Sequence, residues 1–258
     1  CRKGGDMKIK WLYILAVSCC LAGCSDTPEE TETTHTQEKI DLLKSISVDE
    51  ERIDEGKFYS WQEEILVQYD EALEYLSRKY PSYEFTITDC RPENKINNMN
   101  TTFWFTAEGV PEDYELCIGD SGYEDNFYGY LVKEDYEKSL LEILQKAVPE
   151  TAAVSTVFNT VLGEKYDETL TPAKIMADSS GVTNSTEIFI LEQDPVQAEK
   201  FFEEIKETLL YKGVYGSYHI IAVSSGPDSG KDFSEFVKND QSVIVTDQRY
   251  NNFTHRLS

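Results

Sequence analysis

Basic residues are scarce. Lys plus Arg number 24 against 48 Asp plus Glu, giving a formal charge of −24 over 258 residues. Nucleic acid is excluded as a partner, because tracking phosphates needs a basic stripe. Histidine is scarcer still, with three in the chain and none clustered, which argues against a His-built metal centre. No long apolar run is present either. The stretch from Trp11 to Cys20 is too short to cross a bilayer as a helix. Gly-x-Ser-x-Gly, Ser-x-x-Lys and His-Glu-x-x-His are all missing. The segment Gly226 to Asp232 mimics a P-loop, but it holds three residues between glycines and an Asp where a hydroxyl must bind magnesium. No motif implies a cofactor.

What is present predicts a folded body. Hydrophobic residues make up 40% and aromatics 12%, enough to bury a core in one large domain or two small ones. Ahead of that body lies an address. Met7 is the expected initiator. Residues 1–6 fit an untranslated or mis-assigned start, since Lys3-Gly4-Gly5-Asp6 can be encoded by a purine-rich ribosome-binding sequence. Lys8 and Lys10, the apolar run and Leu21-Ala22-Gly23 then form a secretory signal peptide over residues 7–23.

Leu21-Ala22-Gly23-Cys24 resembles the lipobox of bacterial lipoproteins. The resemblance covers residues 7 to 24. It implies a type II signal peptide, cleavage before Cys24, diacylglycerol on the Cys24 thiol and attachment to the membrane on its extracytoplasmic face. Arg2, Lys3, Asp6, Lys8 and Lys10 precede Cys24, so Cys24 to Ser258 carries −27. Such a body does not adhere to an anionic membrane by charge, which leaves the lipid as the anchor. Ser25 to Glu38 is rich in Thr and Glu. An acidic tether is expected over residues 24–57, with Ile40, Leu43 and Ile46 able to support a short helix within it.

Past the tether, periodicity predicts an α+β fold. The first half, residues 58–149, reads as a helix, antiparallel strands and a second helix. Ser60 with Glu63 suits a capping box. Tyr83 to Asp89, Thr101 to Ala107 and Tyr114 to Ile118 read as strands, as does Tyr128 to Val132 ahead of a helix from Lys133 to Ala147. The second half, residues 150–258, alternates strands with helices and implies a parallel β-α-β crossover, as a second unit or part of the first. Its tail from Asp247 is polar and reads as loose.

Cys90 and Cys117 are the cysteines of the folded body, and they read either as a disulfide or as two buried free thiols. Asp120, Glu124 and Asp125 cluster in a turn and form a weak candidate cation site, against a solvated acidic hairpin. Tyr123, Tyr128, Tyr130 and Tyr136 are either a stacking surface for sugars or ordinary packing. His219 lies in a strand and reads as a packed or half-exposed residue. The expected function is a membrane-anchored lipoprotein with a non-catalytic binding or scaffolding body, whose candidate partner is an envelope protein or glycan. The alternative is an envelope hydrolase acting on glycan or peptide through dispersed carboxylates.

Overall fold

The computed structural model describes residues 35–94, 96–97, 99–179, 183–228 and 231–252. The start at residues 1–6, the signal peptide, Cys24, the first part of the tether, Gly181 and Ser229 lie outside the described residues.

Helices α1 (Gln37–Ser45) and α2 (Glu50–Asp54) lead into α3 (Ser60–Lys79). An antiparallel meander follows, with β1 (Phe85–Arg91), β2 (Thr101–Ala107), β3 (Tyr114–Gly119) and β4 (Gly122–Asp125), then α4 (Tyr128–Gln145). The rest runs β5 (Thr151–Phe158), β6 (Val161–Leu162), α5 (Pro172–Met176), β7 (Asn184–Leu191), α6 (Pro195–Lys212), β8 (Gly216–Val223), α7 (Phe233–Asn239) and β9 (Ile244–Asn252). The strands form two sheets, in the orders β1-β2-β3-β4-β6 and β5-β7-β8-β9. This is the expected α+β class, and β7-α6-β8 is the expected parallel crossover.

Each sheet buries one face. The first packs Phe103, Phe105 and Leu116 against Ile65, Leu76 and Tyr80 of α3 and its C-cap. The second packs Ile188, Ile190 and Ile220 against α4 and α6. Leu131 of α4 touches both cores. β6 lies beyond residue 150 yet pairs with β4, so the two halves share a sheet.

Four expectations need correction. The tether does not reach residue 57. Leu42 and Leu43 of α1 and Ile53 of α2 are buried in the first core, and the Asp49 carboxylate accepts from the Arg52 amide to cap α2. Val48 and Ile53 alone within the polar stretch 48–57 were too weak a periodic signal. The α3 cap sits one residue early: the Tyr59 amide donates to Gln62 Oε1 at 2.7 Å. Tyr128 to Val132 is helical, because Tyr128, Val132, Tyr136, Leu140 and Leu144 form one buried i, i+4 stripe. Within it, a Cβ on Gly129 would stand 2.7 Å from Phe158 Cβ, so glycine permits the close approach of α4 to β5. Lastly, the Asp247 tail is strand as far as Asn252, paired along β8 and tied by Asn252 Nδ2 donating to the Val214 carbonyl at 2.7 Å.

Candidate functional site

The cysteines of the body do not meet. Cys90 pairs in register with Phe103 and Cys117 with Thr102, adjacent β2 residues that face opposite sides of the sheet. β1 and β3 flank β2, so they lie two strand spacings apart, about 10 Å. That exceeds the roughly 7 Å Cα limit for a bridge. Both thiols are free. Burial pushes Cys90 up to about 12, and burial also raises Cys117.

The acidic trio separates as well. Asp120 is exposed in a two-residue hairpin turn between Gly119 and Gly122. Glu124 and Asp125 are consecutive in β4 and face opposite sides. Asp125 is fully buried and already satisfied. Its Oδ2 accepts from Lys79 Nζ at 2.6 Å and Tyr75 OH at 2.9 Å, and its Oδ1 from Tyr80 OH at 2.7 Å and the Phe127 amide at 3.1 Å. Lys79 Nζ also donates to the Gly163 carbonyl at 2.8 Å. Desolvation, then the Asp125 charge, holds both phenols far above their usual range. This network is a structural staple between α3, β4 and the turn at Gly163. No trio of His, Cys, Asp or Glu among the described residues is placed to hold a metal ion.

The tyrosines mostly pack. Tyr128 and Tyr136 are fully buried, and Tyr123 stacks on Tyr75 at 4.8 Å. Tyr130 alone of the four is exposed, at 39%.

The outer face of the second sheet is different. At one end Phe189, Ile221 and Val223 are covered by Val237 of α7 and by Val243. At the other end, register places Ser155, Glu187, His219 and Arg249 in one row across four strands. Val157, Ser185, Ser217 and Asn251 form the next row. The first row, Val157, Ser185 and Ser217 of the second, and Ser234 and Lys238 of α7 line a groove of about 330 Å³. Ser234 Oγ donates to Glu187 Oε2 at 2.5 Å, and Ser217 Oγ to Asn251 Oδ1 at 2.8 Å. His219 Nε2 lies 2.6 Å from Asp247 Oδ2. The ring is half-exposed rather than packed away.

A carboxylate-oriented imidazole suits acid–base work only if a nucleophile reaches its other nitrogen. Among the described residues no hydroxyl or thiol hydrogen-bonds His219. The arrangement is a polar, hydrogen-bonding platform. A larger groove of about 710 Å³ between α4 and α6 mixes Lys146 and Lys212 with Glu204 and Glu207 and gathers no convergent set.

No family model matches the chain, and no curated protein matches it. Two solved structures from Legionella pneumophila are similar. One is a fatty acyl-adenylate ligase in complex with acyl adenylate and pyrophosphate, at 15% identity and TM-score 0.28 over 56% of this chain and 25% of that one. The other is a fatty acid AMP ligase, at 14% identity and TM-score 0.29 over 66% of this chain and 35% of that one. The chain thus spans a quarter to a third of the ligases' length, and a likeness this low assigns neither fold nor activity.

Sequence reasoning missed Glu187, Asp247 and Arg249. Their signal was a polar residue facing outward at every second position of a strand, and in β9 the strand itself read as tail.

Proposed function

We propose that this chain is an exported lipoprotein, held at the extracytoplasmic face of the membrane by acyl chains on Cys24, whose body binds a ligand and does not turn one over. The observation that carries this reading is Leu21-Ala22-Gly23-Cys24 at the end of a short apolar run opened by Lys8 and Lys10. The charge of −27 from Cys24 onward supports lipid over electrostatic attachment. The row of Ser155, Glu187, His219 and Arg249 is the binding surface in this reading. Two or more acyl chains hold stably where one does not. Fractionation tests the attachment: the protein should sediment with membranes, resist washing in high salt and alkali, and be released by detergent. Release by salt alone would contradict lipid anchoring.

A further inference from the structure

Resting on that reading of the groove as the binding surface, we propose that it takes a small polyhydroxylated anion, a sugar bearing a carboxylate or a phosphate. The chain has twice as many acids as bases, yet the lining of this groove carries two long cations against one carboxylate. Its lining holds one carboxylate, Glu187, which accepts from the Ser234 hydroxyl, while Asp247 outside the lining is paired with His219. Both of its long cations are exposed and make no hydrogen bond or ion pair among the described residues. These are Arg249, which faces His219 across the β8–β9 pairing, and Lys238 in the last turn of α7.

A guanidinium presents a planar fork that matches a carboxylate or phosphate with two parallel bonds, and an ammonium adds a point charge. The hydroxyls of Ser155 and Ser185 on the neighbouring strands also lack a side-chain partner and offer both donors and acceptors to a polyol. A volume of about 330 Å³ sits at the lower end of ligand pockets. It suits one monosaccharide unit better than a long chain.

The test is calorimetric titration of the detergent-solubilised full-length protein at low ionic strength with glucuronate, glucose 6-phosphate, glucose and acetate. One or both acidic sugars should saturate the protein, with glucose and acetate about tenfold weaker or more. Whichever acid binds identifies the anionic group as carboxylate or phosphate. Arg249→Gln and Lys238→Met should each weaken the acidic sugar by about tenfold while leaving the thermal midpoint unchanged, since both side chains are exposed and neither makes a hydrogen bond or ion pair among the described residues. The proposal is overturned if neither acidic sugar saturates, if glucose binds as tightly as its acidic counterparts, or if both variants bind like the parent. Binding of glucose alone would overturn the anion and keep the groove as a binding surface. None of these results bears on the anchor, which is read by lipid incorporation at Cys24.

Discussion

Glu137 is a carboxylate held where ionisation is unfavourable. It sits on α4 beneath β5, and its Oε1 accepts from the Thr156 amide at 2.6 Å. Desolvation raises its pKa, and the Thr156 bond and nearby Lys133 only partly oppose that. A raised acid pKa lowers stability where the fold must hold the ion. The penalty is therefore present above the raised value and disappears as pH falls below the ordinary 4.5. Glu137→Gln keeps an acceptor for Thr156. It should raise the thermal midpoint at pH 7, and the two melting curves should converge below about pH 4. A gap that widens on acidification would contradict the sign. The thiols give a second test at this scale. Alkylation without reduction, followed by peptide mapping of the unfolded chain, should label both Cys90 and Cys117. A linked peptide would contradict the register of β1, β2 and β3.

At the scale of elements, the Lys79–Asp125 pair ties α3 to β4 with both side chains fully buried. Removing one partner strands a buried charge. Lys79→Met should cost about 3–5 kcal/mol in denaturant unfolding. The same substitution should cost clearly less in an Asp125→Asn background, where the Tyr80 and Phe127 bonds can persist. Equal costs in both backgrounds would mean the pair is not coupled. Leu43 tests whether α1 belongs to the body. It is fully buried, so Leu43→Ala should cost about 2–5 kcal/mol, whereas a residue in a solvated tether would cost nothing. Local chemistry made much of this legible. Thr101 to Ala107, read as a strand from its alternation, is β2 with the same bounds. Partners distant in sequence were not legible. Nothing local tells Asp125 from Asp120, because what separates them is Lys79, 46 positions away. β9 was hidden for a related reason. Asp247, Arg249 and Asn251 share one face of the sheet, and pairing with β8 makes the strand.

At the scale of the whole molecule, the acid excess and the groove point in opposite directions. The surface repels anions at long range, so an anionic ligand must be recognised at short range by a few placed cations. Added salt screens both terms, and binding in the groove should weaken less with salt than it would on a basic surface. The α+β class could be read from periodicity, and the two-sheet arrangement could not. β6 has two residues, too few to register as a strand, yet it joins the second half to the first sheet. The site was least legible of all, because a row of side chains across four strands has no signature within any one of them.

Attachment through Cys24 is tested most directly by metabolic labelling with radioactive palmitate. The parent chain should incorporate label and migrate as the processed form that begins at Cys24. Cys24→Ala should carry no label and keep its leader. Equal label in the two proteins, or none in the parent, would contradict lipid anchoring at this residue.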